Sequence, residues 1–93
     1  MVEFIKENSQ SICKINEDGS KCWFLNDLLH REDGPAKESV WYKAWYYHGK
    51  RHRLDGPAVE VYNVHQSWWY YGVHIKCSSQ EEFERLIKLK SLW

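Results

Sequence analysis

The stretch WYYHGKRHRLDGPAVE, residues 45–60, repeats an earlier stretch, WFLNDLLHREDGPAKE, residues 23–38. The two copies share the initial Trp, the segment His-Arg-x-Asp-Gly-Pro-Ala and the final Glu. A third, shorter copy, WWYYGVHIKC, begins at Trp68 and lacks the Asp-Gly-Pro segment. Repetition at this spacing is typical of stacked supersecondary units, none of which buries its apolar surface alone.

Each copy predicts β-strands rather than helices, because short aromatic and β-branched runs are separated by turn residues. The pairs Asn-Asp, His-Gly and Tyr-Gly are suited to hairpin turns, in which residues take positive φ. The upstream segment SICKINEDGSKC is interpreted as the first strand and turn of the first copy. Strands are predicted near residues 11–15, 21–25, 37–42, 44–48, 58–62 and 67–71.

The C-terminal stretch SSQEEFERLIKLKSLW, which begins at Ser78, changes to a helical period. Ser79 and Glu82 form a capping box, and Phe83, Leu86 and Ile87 form an apolar stripe. We therefore predict a mainly β protein: an antiparallel β-meander of about three repeated hairpins in a single-layer sheet, with one C-terminal α-helix. The chain is interpreted as one domain, 1–93, divided into an N-terminal segment 1–10, hairpins 11–78 and a helix 79–92.

Charge and hydropathy limit the classes of function. Thirteen Lys and Arg residues balance thirteen Asp and Glu residues, so no overall field favours nucleic acid or an anionic membrane. No stretch is long and apolar enough to span a bilayer, and MVEFIKENSQ lacks the apolar core of a secretory signal. We expect a cytoplasmic protein with reduced thiols. Cys13 and Cys22 flank the NEDG turn, so a disulfide between them stays open at this stage.

The repeated polar loop is predicted to have a structural role. In HRxDGPA, Asp is expected to accept backbone N–H bonds, Gly to permit a left-handed step and Pro to end the strand ladder. Each His-Arg pair is expected to bond an Asp or Glu of a neighbouring unit. The residues with this predicted role are His30, Arg31, Asp33, Gly34, Pro35, His52, Asp55, Gly56 and Pro57.

Catalysis and metal binding are not predicted. Identical residues one repeat apart form a ladder rather than a converging set of metal ligands, and a duplicated loop offers no asymmetric pocket. No cofactor is predicted either. An enzyme that uses His52 and Asp55 is therefore the least favoured of three interpretations.

Aromatic residues are unusually frequent, with six Trp, six Tyr and three Phe. Strand alternation divides most of these rings between the two faces of the sheet. One face holds Trp23, Leu25, Trp45, Tyr47, Trp68 and Tyr70, and the opposite face holds Phe24, Tyr46 and Trp69. A single helix covers only one face. The second face is therefore either covered by the N-terminal segment, with Phe4 and Ile5, or it is an interface. The interface candidates are Phe24, Tyr46, His48, Trp69, Tyr71, Lys50, Arg51 and Arg53.

The HRxDGPA loop joined to W-Y-x-x-G strands resembles the MORN-variant repeats of small proteins from tailed phages and giant viruses. The ending YYGVHIKCSSQEEFERL is similar to the way such proteins end. The resemblance covers roughly residues 11–90. It departs from the pattern at Asp27, where Gly is usual, and in the third copy. It implies a single-layer β-meander, a viral origin and a location in the host cell cytoplasm, and it carries over no catalytic residue.

Two further functional interpretations remain at the level of sequence. The first is a non-enzymatic interaction protein, a phage-encoded inhibitor or modulator of a host defence protein that acts through an aromatic sheet face, with a second copy of the chain as another partner. The alternative is a binder of nucleotides, cyclic dinucleotides or single-stranded nucleic acid, because aromatic rings stack on bases and Lys43, Lys50, Arg51 and Arg53 form a local basic cluster.

Overall fold

The structure, a computed structural model, describes residues 11–90. The predicted cover of the second face by Phe4 and Ile5 lies outside these residues, as do helix positions 91 and 92. The described part is mainly β, with an antiparallel, hairpin-rich sheet and a C-terminal helix. The elements are β1 (Ile12–Ile15), β2 (Lys21–Leu25), β3 (Leu28–Leu29), β4 (Lys37–Glu38), β5 (Tyr42–Ala44), β6 (Tyr46–Tyr47), β7 (Lys50–Arg51), β8 (Val59–Val61), β9 (His65–Tyr70), β10 (Val73–Ile75) and α1 (Gln80–Lys90).

The strands follow one another across the sheet in the order β10-β9-β8-β5-β4-β2-β1, and β3 pairs with β2 beside this path. A separate hairpin, β6–β7, makes the second sheet. Backbone hydrogen bonds attach it to the hairpins on both sides: Arg31 N–H donates to Tyr46 O, Gly49 N–H to Leu29 O, and Gly72 N–H to Arg51 O. The predicted meander of repeated hairpins is confirmed.

The repeat Trp residues stand where a strand changes partner. Trp23 N–H donates to Ala36 O, while Trp23 O accepts from His30 N–H. Trp45 makes the same two bonds in the second copy, to Ala58 and His52. Ala36 and Ala58 are fully buried at these junctions, where a larger side chain would have to displace its packed neighbours. Each Trp is therefore bonded on its carbonyl side to the hairpin that follows it. On its N–H side it is bonded to the Ala that ends the HRxDGPA segment, which we call the crossover because it returns the chain to the Trp.

Two predicted strands are wrong, because one continues through a reversal of the chain and the other through a change of pairing partner. The predicted strand 37–42 ends at Glu38, where Ser39 N–H donates to Tyr42 O and the chain turns back. The predicted strand 44–48 is divided by Trp45. The second strand of each hairpin with a two-residue turn was not predicted. These return strands, β3, β7 and β10, have only two or three residues, too few to show alternation.

The three two-residue hairpin turns have the predicted backbone. Both central residues take positive φ in each turn, namely Asn26 and Asp27, His48 and Gly49, and Tyr71 and Gly72. This is the type I′ geometry that matches the right-handed twist of paired strands. Asp27 takes the place of the usual Gly at φ 67°, because a short polar side chain tolerates the left-handed region.

The predicted helix is confirmed over Gln80–Lys90, and it covers the third repeat. Phe83 is fully buried against Trp68 and Ile75, and Leu86 and Ile87 pack beside this cluster. The helix cap differs slightly from the predicted box. Ser79 Oγ accepts from Glu82 N–H at 3.1 Å, but the Glu82 carboxylate reaches back to Ser78 N–H, at 2.9 Å, instead of Ser79 N–H.

Candidate functional site

The two loop arginines each lie over the tryptophan ring of their own repeat. The guanidinium carbon is 3.8 Å from the ring centroid both for Arg31 over Trp23 and for Arg53 over Trp45. About a fifth of each arginine side chain is exposed, so the cation is largely shielded from water. A cation–π contact of this kind is strengthened by partial desolvation.

Acceptors of the same repeat hold each guanidinium in place. Arg53 Nε donates to Asp55 Oδ1 at 2.9 Å, and its Nη1 donates to Pro57 O at 3.1 Å and Glu60 Oε2 at 3.2 Å. Arg31 makes the corresponding hydrogen bonds to Asp33 and Pro35 O in the first loop, and its Nη1 forms an ion pair with Glu38 at 3.8 Å. The prediction that these pairs join neighbouring units is wrong: the described ion pairs of both arginines stay within one unit, because the crossover returns Asp and Glu to the same Trp.

The loop glycines serve a purpose different from the predicted one. Gly34 and Gly56 are not among the residues with positive φ, so the predicted left-handed step is absent there. Instead, a Cβ atom would lie 2.9 Å from Arg31 Cζ at position 34 and 2.6 Å from Arg53 Cζ at position 56. A larger residue at either position would have to displace the guanidinium, so glycine lets the arginine keep both its place over the Trp ring and its acceptors.

The loop histidines make the contact between units. His30 Nδ1 accepts from the backbone N–H of His48 at 2.9 Å, and His52 Nδ1 accepts from that of Tyr71 at 3.0 Å. In both cases the donor is the first residue of the next hairpin turn. Ring contacts accompany these bonds: His52 and Tyr71 are stacked with centroids 3.8 Å apart, and His30 and His48 are tilted by 32° with centroids 4.2 Å apart. An Nδ1 that accepts has no proton, so this geometry requires neutral rings with the proton on Nε2.

Burial lowers the pKa of His52 below its ordinary value. The unfolded chain therefore takes up a proton on this residue more readily than the folded chain does. The free energy of unfolding is expected to fall as the pH is lowered through about 6.5, the ordinary His value, until folded His52 is itself protonated. Urea unfolding followed between pH 8 and pH 5 measures this slope.

The matched variants for this prediction are His52→Asn and His65→Asn. Asn at 52 keeps an acceptor near the Nδ1 position but does not titrate, so the slope should become smaller. Replacement of the exposed His65 should leave the slope as in the wild type. An unchanged slope in His52→Asn would contradict the account.

The third repeat has no loop, and the helix takes the place of that loop. The Trp68 indole N–H donates to Gln80 Oε1 at 2.9 Å, and Phe83 packs on the same ring. Gln80 Nε2 also donates to Leu54 O, at 2.8 Å, in the second loop. Trp68 is thus covered by helix side chains, whereas Trp23 and Trp45 are covered by arginines.

The predicted interface residues do not form one surface. Tyr46 and Trp69 share a face, but Arg51 fills the space between them. Its Nε donates to Tyr46 Oη at 3.2 Å, and its guanidinium carbon lies 4.8 Å from the Trp69 centroid. Phe24, on the same face, is half-buried. Arg53 lies apart from this group, over Trp45, because the strand ends at Arg51 and the chain enters the second loop. His48, Lys50 and Tyr71 lie at or beside the hairpin turns, where they are exposed.

Sequence reasoning missed a cluster of exposed apolar side chains at the opposite end of the hairpins. This distal patch consists of Val40, Trp41, Tyr62 and Val64, from the turn after β4 and the turn after β8. Their exposed fractions are 84%, 65%, 63% and 78%. The Trp41 and Tyr62 ring centroids are 6.3 Å apart, and Tyr62 N–H donates to Trp41 O. The signal was present in the run SVWY, but residues 37–42 were interpreted as a single strand.

A groove of about 700 Å³ separates the two HRxDGPA loops. Its lining includes the aromatic residues Trp45 and Tyr47 and the acidic residues Asp33 and Asp55. The hydrogen bond from Arg53 lowers the pKa of Asp55, so this carboxylate stays ionised at neutral pH. The groove combines aromatic area with exposed negative charge, and its volume is in the range of small-ligand sites.

The cysteines are free thiols. Cys13 is paired with Trp23, and Cys22 with Lys14, in the β1–β2 register. Neighbouring pairs in an antiparallel ladder point to opposite faces, so a Cys13–Cys22 disulfide is excluded in this register. Burial raises the pKa of Cys77, which disfavours a reactive thiolate there.

Within residues 11–90, no three His, Cys, Asp or Glu side chains group closely enough to hold a metal ion. No helix in this part of the chain is long and apolar enough to cross a membrane. Comparisons with protein-family models, curated proteins and solved structures find no match to the chain. The resemblance to MORN-variant repeats therefore stays a prediction from the residues that carry it.

Proposed function

We propose that the protein is a non-enzymatic protein-interaction module and that the distal patch is its main contact surface. The observation that supports this most strongly is the exposure of Trp41 and Tyr62, two large rings side by side on adjacent turns. Exposed apolar clusters on small proteins mark binding surfaces, and Trp and Tyr dominate binding hot spots. The face of Tyr46 and Trp69 is a weaker candidate, because Arg51 already occupies it.

The repeated polar residues support a non-enzymatic role. His, Arg, Asp and Gly of each loop have partners inside the fold, in the same arrangement in both copies. A catalytic group needs a substrate-facing position and a distinct environment. The duplicated His and Arg side chains are engaged in corresponding contacts inside the fold, which leaves neither copy a distinct environment. We therefore assign the loops to architecture and the exposed rings to binding.

We further propose that the partner is a host protein and that the chain acts as a viral modulator or inhibitor of it in the host cytoplasm. The support for this part is the resemblance of the repeats to those of small phage and giant-virus proteins. A small domain with a rigid sheet and exposed rings is suited to covering a surface of a larger protein. No chemical step is needed for inhibition of this kind.

The double variant Trp41→Ser/Tyr62→Ser tests the contact surface. We expect it to weaken binding to a purified host partner, first captured from lysate, by at least about tenfold, because hot-spot rings carry most of the binding energy. Isothermal titration calorimetry against wild-type protein measures the change.

The matched control is Ile12→Ser/Val73→Ser, which removes two exposed apolar side chains elsewhere and should bind as the wild type does. Equal binding by the Trp41→Ser/Tyr62→Ser variant would contradict the proposal. Sedimentation of the same variants distinguishes a second copy of the chain as partner, since loss of a dimer only in the distal-patch variant would replace the host protein with a homo-oligomer.

A further inference from the structure

The groove between the loops presents negative charge to an incoming ligand. The side chains of Asp33 and Asp55 are 87% and 88% exposed, and that of Glu32, whose carboxylate contacts His30 Nε2 at 3.3 Å, is 71% exposed. The two arginines that line the groove are mostly covered and are bonded to acceptors of their own repeats. A phosphate group would therefore meet carboxylates before it met a free cation. This arrangement disfavours nucleotides and favours a cationic group.

The groove also exposes apolar surface to a ligand. Tyr47 lines the groove and is 37% exposed, and Leu54, 51% exposed, lies on the wall formed by the second loop. A Lys or Arg side chain has an apolar stem and a charged end. The stem suits the ring and aliphatic surface of the groove, and the charged end suits its carboxylates. A small inorganic cation would make no use of the ring surface.

The internal repeat allows the groove beside the first loop to be compared with the equivalent position beside the second loop. There, the first turn of α1 inserts Gln80, whose Nε2–H donates to the carbonyl of Leu54. Residue 32 has in the first loop the position that residue 54 has in the second. The chain thus fills the second position with a side-chain N–H donor of its own, while the first position, between the two loops, is an open groove.

We propose that the groove between the two loops binds a Lys or Arg side chain of a partner polypeptide. Its N–H groups donate to the carboxylates of Asp33 and Asp55 and to the carbonyl of Glu32, and its alkyl stem lies on Tyr47. The inference rests on the proposed function only in that the partner is a polypeptide. It involves a surface distinct from the distal patch.

Titration of ¹⁵N-labelled protein with an acetylated tetra-arginine peptide tests the proposal. We expect saturable shifts of the Trp45 indole and of the Tyr47 and Leu54 amides. The variant Asp33→Asn/Asp55→Asn keeps an Oδ1 acceptor for each arginine, and it should bind the peptide at least about tenfold more weakly. The control Glu17→Gln/Asp27→Asn removes the same charge outside the groove and should bind as the wild type does.

Three outcomes would overturn the inference. The first is the absence of shifts at these residues, and the second is equal weakening in both double variants, which would mean unspecific attraction. The third is saturation of the groove by adenosine triphosphate, which would identify a nucleotide site instead. The distal-patch variant Trp41→Ser/Tyr62→Ser is expected to bind the peptide normally. Failure of the proposed function and failure of this inference are therefore separable.

Discussion

Phe83→Ala is expected to lower the free energy of unfolding by about 3–5 kcal/mol, the range for removing a fully buried aromatic side chain. Phe83 joins the helix to the sheet, since it packs on Trp68 and Ile75 and has no exposed surface. Its loss leaves a cavity under the helix and uncovers the Trp68 ring. Urea unfolding followed by tryptophan fluorescence measures the change.

Leu89→Ala is the control for this prediction, because Leu89 is in the same helix but half-exposed. It should cost less than about 1 kcal/mol, as surface substitutions usually do. A loss below about 1 kcal/mol for Phe83→Ala as well would show that the helix does not cap the third repeat.

Arg53→Ala is expected to cost about 2–4 kcal/mol, because the ring contact and charge-assisted hydrogen bonds are lost together. Arg53 bonds Asp55, Pro57 O and Glu60 and lies on Trp45. Without it, the Trp45 ring is uncovered and the Pro57 carbonyl loses its side-chain donor. Thermal and urea unfolding measure the loss.

Two further variants make the second prediction specific. Arg53→Lys keeps the charge but not the planar fork, so an intermediate loss is expected. Arg85→Ala removes an exposed arginine of α1 and should change stability by less than about 0.5 kcal/mol. Equal effects of Arg53→Ala and Arg85→Ala would contradict the assignment of the loop to architecture.

The repeat pattern predicted most of the fold. Trp, Gly and Pro recur at fixed spacing, and each constrains the backbone in a way that sequence shows directly. The helix was equally predictable from the sequence, because its N-terminal cap and its apolar stripe depend on residues close together in the chain. Return strands of two or three residues, such as Lys50–Arg51, could not be predicted, since pairing with a neighbour defines them.

The contacts of the loops were less predictable than the loops themselves. The sequence places Arg53 near Asp55, but only the folded crossover shows that Trp45 lies beneath it and that Gly56 makes room for it. The acceptor role of His52 depends on a backbone N–H from Tyr71, 19 residues away. The distal patch was missed for the same reason: Trp41 and Tyr62 meet only after two hairpins align.

The central claim is that neutral loop histidines join successive units by accepting a backbone N–H. Nitrogen-15 NMR of the imidazole rings at pH 7.5 tests it most directly. We expect His30 and His52 to carry the proton on Nε2, with an unprotonated accepting Nδ1, and the amide protons of His48 and Tyr71 to exchange slowly. Rings that average between tautomers as free histidine does, together with rapid exchange of those two amide protons, would contradict the claim.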